Sequence, residues 1–155
     1  MSCKYNDIID NMIRRRVKNK FTDTYTHIAA FIPCRKCNLN KIKFGNNSNR
    51  IRYNNKKIKT HAEINALKKI NLSTKKCEEY DLIVLRINKS HGLCNSAPCY
   101  HCTCEINKKA FLKIKYIYFS SDDGTITRVC FDDWQNMNKN CHHISKGWRH
   151  INSNK

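Results

Sequence analysis

The sequence predicts an α/β fold, a three-layer α/β/α sandwich in which a mixed five-stranded sheet lies between helices and its last two strands form an antiparallel hairpin. Three observations predict it. Periodicities alternate in the order helix, strand, strand, helix, strand, helix, strand, strand, which calls for helices on both faces of a mixed sheet. Leu82, Ile83, Val84, Leu85 and Ile87 make a nearly continuous apolar run, the pattern of a strand buried on both faces. A turn containing Asp122, Asp123 and Gly124 is all that separates the final two strand segments; parallel strands would need a crossover of about a dozen residues or more.

Taken in order, Tyr5, Ile8, Ile9, Met12, Ile13, Val17 and Phe21 recur at helical spacing opposite Arg14, Arg15, Arg16, Lys18 and Lys20. Residues 1–25 therefore read as an amphipathic helix packed on the domain, its basic side either a solvated face or a stripe for phosphates. Thr26 to Ile32 and Lys41 to Gly45 read as a strand pair interrupted by Pro33-Cys34-Arg35-Lys36-Cys37, and Asn46 to Lys59 as a polar loop. A helix opens at His61 with Thr60 as its N-cap, carrying Ala62, Ile64, Ala66, Leu67 and Ile70. Tyr80 to Asn88 is the central strand, Ser90 to Pro98 a loop and Cys99 to Leu112 a second helix. Tyr116 to Ser120 and Thr125 to Phe131 complete the sheet. The core thus spans residues 26–134, followed by a basic, polar tail over 135–155.

Thirty Lys and Arg against twelve Asp and Glu leave a formal net charge of +18, a field that attracts nucleic acid or phosphorylated substrates. The excess of Lys over Arg, with abundant Asn and Ile, is also what an A/T-rich coding sequence produces. No apolar run approaches the roughly 20 residues that span a bilayer, and the N-terminus has no secretory signal pattern. A membrane role is not expected, and the ten cysteines are expected to be reduced, in cytoplasm or nucleus.

The chemistry concentrates in His61-Ala62-Glu63 and Pro98-Cys99-Tyr100-His101-Cys102. One His and two Cys supply three ligands for a tetrahedral Zn²⁺ and leave the fourth position open to water, as catalytic zinc sites do; structural sites close with four protein ligands. Cys99 and Cys102 stand one helical turn apart and share a face, near the positive end of a helix that favours their thiolates. Glu63, not needed as a ligand, is the group able to move protons. A four-ligand zinc knuckle recruiting Cys104 is the alternative, but it leaves Glu63 and Pro98 without a role. A second closed zinc site from Cys34, Cys37, Cys141 and His142 has suitable ligand types; hairpin-turn cysteines without metal are the simpler reading. Trp148 and Arg149 in the tail could stack on a base and hold a phosphate, or cover an apolar patch.

These motifs, with the order of elements around them, resemble the cytidine and deoxycytidylate deaminase superfamily of zinc-dependent nucleobase deaminases from about Thr26 to Phe131. The resemblance implies His61, Cys99 and Cys102 as zinc ligands and Glu63 as the catalytic proton shuttle. It places Asn47, from a G-x-N segment at Gly45-Asn46-Asn47, on the sugar, and Ala62, Ser96 and Ala97 along the substrate, the last two accepting the exocyclic amine through backbone carbonyls. The final hairpin resembles the free-nucleoside branch, whereas a His as first ligand resembles the branch acting on deoxycytidylate, tRNA adenosine and polynucleotide cytosine. The implied activity is hydrolytic conversion of cytosine to uracil in a nucleoside, nucleotide or single-stranded nucleic acid. Editing of a base in DNA, RNA or tRNA is an alternative, and a zinc-containing nucleic-acid-binding module without catalysis is another. Small-molecule members often assemble so that neighbouring subunits complete the pocket, so the resemblance also implies a homo-oligomer.

Overall fold

The computed structural model describes residues 3–18, 25–35, 39–53, 56–71 and 77–136. The first apolar spacing becomes α1 (Cys3–Lys18), which buries Ile8, Ile9 and Met12 and leaves Asp7, Asp10, Arg14 and Arg15 exposed. In the main sheet, β1 (Tyr25–Pro33) pairs antiparallel with β2 (Lys43–Asn46) and with β5 (Glu78–Asn88). Strand β7 (Leu112–Ser120) runs parallel to β5 and turns back into β8 (Ile126–Cys130). The order is β2-β1-β5-β7-β8. The hairpin expected from Asp122-Asp123-Gly124 is antiparallel, in register from Tyr116 opposite Cys130 to Ser120 opposite Ile126. Gly124 takes φ +80° in its turn, a conformation that a side chain would strain, and the Asp123 carboxylate accepts from the Thr125 N–H at 2.9 Å.

Strand alternation sorts the core into two layers. Ile28, Ala30 and Ile32 of β1 and Ile83, Leu85 and Ile87 of β5 pack with the buried side of α1. Their neighbours Ala29, Phe31, Leu82 and Val84 point the other way, into a cluster with α2 (Ala62–Leu67), Ile106 of α3 (Tyr100–Asn107), and Phe131 and Trp134 of α4 (Phe131–Asn136). The central apolar run is therefore buried on both faces, and each fully buried aliphatic side chain contributes about 1.5–3 kcal/mol of transfer free energy.

Several expected boundaries move. Residues 46–59, expected as a loop, contain β3 (Ser48–Tyr53), and β4 (Lys56–Thr60) pairs with it in a separate two-stranded sheet, Ile51 opposite Ile58 and Arg52 opposite Lys57. Its period-2 signal rests on Ile51, Tyr53 and Ile58, sparse among polar residues, so composition hides the alternation. Thr60 ends β4 and is not the cap of α2; His61 stands at the N-cap instead. The second zinc-motif helix stops at Asn107, because Leu112 is drawn into pairing with Glu78 of β5. Phe131 opens α4, its ring completing the apolar layer. A two-residue β6 (Leu93–Cys94) within the expected 90–98 loop pairs with Arg86 and Ile87, beyond the last β5–β7 pair at Val84. No helix among the described residues is long and apolar enough to cross a membrane.

Candidate metal centre

Two helix starts deliver the ligands. His61 and Cys99 occupy the N-cap positions of α2 and α3, both with extended backbone, and neither side chain makes the usual capping hydrogen bond. The two side chains turn toward each other instead. His61 Nδ1 lies 3.4 Å from Cys99 Sγ and 3.3 Å from Cys102 Sγ, Cys102 coming from the first turn of α3. All three ligand atoms lie within 4.8 Å of one another. A tetrahedral ion bound by sulfur at about 2.3 Å and nitrogen at about 2.0–2.1 Å sets S···N edges of about 3.6 Å, so the two observed S···N spacings are within a few tenths of an ångström of those a bound ion would set. Tetrahedral Cys₂His sets with an open position are the chemistry of zinc.

The close approach of β2 to α2 fixes His61. At Gly45 an added Cβ would stand 2.3 Å from Ala62 O and 2.3 Å from Ala66 N, both backbone atoms of α2. Asn65 of α2 donates to Asn46 O at 2.7 Å, tying the same strand end to the helix. A second anchor holds α3. Trp134 Nε1–H donates to Thr103 Oγ1 at 3.1 Å, and Thr103 Oγ1–H donates to the carbonyl of Cys99 at 3.2 Å. Trp134, buried in the apolar layer, thus also braces Cys99 through Thr103. The pre-Cys99 loop has its own clamp: buried Ser96 donates from Oγ to Val84 O at 2.6 Å, and Ser120 Oγ donates to Cys94 O at 2.6 Å. Nothing in the one-dimensional pattern marks Thr103 or Ser120, since each acts through a partner far away in sequence.

Electrostatics in the metal-free chain follow from shared protons. Cys99 is lowered to about 4, chiefly because the Cys102 thiol donates to it and His61 stands beside it; donating to Cys99 and burial push Cys102 well up. The hydrogen bond to Cys99 raises His61, so it keeps its proton to higher pH than an ordinary imidazole. Glu63 is only 4% exposed, and desolvation raises its pKa even though His61 pulls it down. His61, Cys99 and Cys102 all bear on its titration, which puts the carboxyl against the ligand set. A metal requires two thiolates and a neutral imidazole. Slightly below neutral pH, binding therefore expels the Cys102 and His61 protons, and affinity falls as pH falls. Zinc titration in two buffers of different ionisation enthalpy should show release of about two protons per ion; release of none would contradict these proton positions.

The remaining expected residues are dispersed around this centre. Asn47 follows β2, where its Oδ1 accepts from the His27 N–H at 3.0 Å and its own N–H donates to His27 O at 3.1 Å. That carbonyl oxygen is already engaged in extending the sheet. Ala62 is buried against the strands, and Ala97 follows the clamped Ser96. Cys104, the fourth ligand of the knuckle alternative, is not in the cluster. Of the second metal set, Cys34 is described, its thiol pushed up to about 12 by burial and by the charge of Asp81; Cys37, Cys141 and His142 lie outside the described residues, as do Trp148 and Arg149. None of the described cysteines is in a disulfide.

No family profile matches the chain, and no curated protein matches it significantly. Among solved structures, the crystal structure of cytidine deaminase from Mycobacterium leprae superimposes with a TM-score of 0.54 at 9% sequence identity, over 88% of this chain and 100% of that one. The likeness is one of fold: a mixed sheet with flanking helices, of the cytidine deaminase-like α/β type.

Proposed function

We propose that the chain is a zinc-dependent hydrolytic deaminase that converts cytosine to uracil, with release of ammonia, in a nucleoside, nucleotide or single-stranded nucleic acid. The observation that carries this reading is the three-ligand cluster of His61, Cys99 and Cys102 with buried Glu63 against it, on a fold like that of cytidine deaminase. Three protein ligands suit an open catalytic site, where bound zinc acts as a Lewis acid that brings the pKa of water from 15.7 to about 7. Glu63 would take one proton from the attacking water and give it to the ring nitrogen, then take the proton left on the new hydroxyl and give it to the amine, which departs as ammonia as the C–N bond breaks and the carbonyl forms. Its burial supports this role, because desolvation raises its pKa and makes the carboxylate a stronger base than an exposed one.

Asn47 is assigned to the sugar through its amide, and the backbone around Ala62, Ser96 and Ala97 to the base, with Ser96 carbonyl and Ala97 carbonyl receiving the exocyclic amine. The Ser96–Val84 and Ser120–Cys94 hydrogen bonds support the second assignment, since they hold that backbone rigid beside Cys99. A base in a duplex cannot reach such a site, so a polynucleotide substrate is unpaired there. The test is a mass-spectrometric panel of cytidine, deoxycytidine, their monophosphates, adenosine, guanine and single-stranded DNA and RNA, offered to zinc-loaded protein. Deamination of at least one cytosine-containing member is expected. Binding of oligonucleotides with no product from any member would replace the enzyme by a nucleic-acid-binding zinc module.

A further inference from the structure

A cleft of about 500 Å³ lies on the opposite side of the sheet from α2 and α3, lined by Tyr5, Asp81, Lys115, Tyr116, Tyr118 and Arg128 among others. Tyr5, Tyr116 and Tyr118 belong to the layer under α1, not to the layer that carries the metal ligands. Its volume is that of small-ligand sites, about 300–1,000 Å³.

The chemistry of its wall is divided. Asp81, 4% exposed, lies at the floor, one carboxylate oxygen accepting from the Tyr5 hydroxyl and the other from the Tyr116 N–H at 3.2 Å. The Cys34 thiol also faces this carboxylate, so of its roughly four acceptor positions about one is left for a further donor. Three tyrosine rings form the sides, Tyr5 and Tyr118 stacked with centroids 4.8 Å apart. At the rim stand two exposed cations: the Arg128 guanidinium 3.8 Å from the Tyr116 ring centroid and the Lys115 ammonium 5.7 Å from it. Neither is in an ion pair with a described carboxylate. Burial and the Asp81 charge keep Tyr5 protonated and therefore a donor to Asp81, while the two cations at the rim attract phosphate. Flat rings and guanidinium planes are surfaces on which nucleobases stack.

We infer that this cleft binds a nucleotide unit, its base among Tyr5, Tyr116 and Tyr118 with an amino or imino hydrogen toward Asp81, and its phosphate on Lys115 and Arg128. The site is separate from the metal centre and does not depend on the deaminase reading. The test uses zinc-loaded full-length protein with UMP, which cytosine deamination cannot consume, with uridine, and with a short oligodeoxyuridylate. Lys115→Gln/Arg128→Gln should weaken phosphate-dependent binding at least about tenfold, while uridine binding and zinc content stay unchanged. Lys89→Gln/Lys109→Gln, which removes equal charge from other exposed positions, should leave it intact. If the loss extends to the oligonucleotide, the nucleotide unit comes from a polynucleotide; if it is confined to UMP, from a free nucleotide. Equal affinities in wild type and Lys115→Gln/Arg128→Gln for both phosphorylated probes, or an equal loss in the Lys89/Lys109 pair, would overturn the inference.

Discussion

Glu63→Gln is expected to lower kcat by at least about 10²- to 10⁴-fold, the range that positioned acid–base groups supply, with KM changed little and zinc content preserved. The amide keeps the shape and polarity of the side chain but cannot accept and release a proton at neutral pH. Metal retention follows from the ligand set, which is His61, Cys99 and Cys102 without Glu63. A second consequence separates this role from a structural one. Because burial raises the Glu63 pKa in the folded chain, ionisation is harder there than in the unfolded chain, and the ionised carboxylate lowers stability above its unfolded pKa. Metal-free Glu63→Gln should therefore be at least as stable as wild type at pH 7 by urea unfolding, and the difference should vanish as pH falls below the ordinary carboxyl range. A variant that deaminates at the wild-type rate would remove Glu63 from the mechanism.

Gly45→Ala is expected to disturb the fold more than an added methyl at Gly92 or Gly124. The new Cβ would sit 2.3 Å from two backbone atoms of α2, and backbone cannot step aside by rotating a side chain. Either α2 lifts from β2 or the strand shifts, at a cost of about 3 kcal/mol or more, the upper end of what overpacking produces. Since α2 begins at His61, a shift of the helix also spoils the 3.3–3.4 Å spacings to the thiols, so zinc affinity should drop with stability. Chemical denaturation of the metal-free protein together with a zinc competition titration checks both; a wild-type midpoint and affinity would show that the close approach is not needed.

Gly45 also shows where sequence reading stops. In the linear pattern it is the first residue of a G-x-N segment with a substrate role for Asn47, whereas in the fold it lets a strand touch a helix backbone. The hidden hairpin at 48–60 teaches a similar lesson. Its alternation is legible only around Ile51, Tyr53 and Ile58, because a ribbon held by backbone hydrogen bonds tolerates polar side chains that a buried strand does not.

The layer architecture, the antiparallel final hairpin and the choice of His61, Cys99 and Cys102, which the fold brings within 4.8 Å of one another, were legible in the sequence. Those properties depend on short-range period, turn length and donor chemistry, all of which act between near neighbours in the chain. Folding in three dimensions sets His61 and Cys99 at helix caps facing each other, braces Cys99 by Trp134 through Thr103, secures the loop at Cys94 with Ser120, and brings Asp81, Tyr116 and Arg128 together in a cleft on the far face. Each of these joins residues dozens of positions apart, and such pairs are set by sheet register and the packing of two apolar layers, which no local spacing encodes.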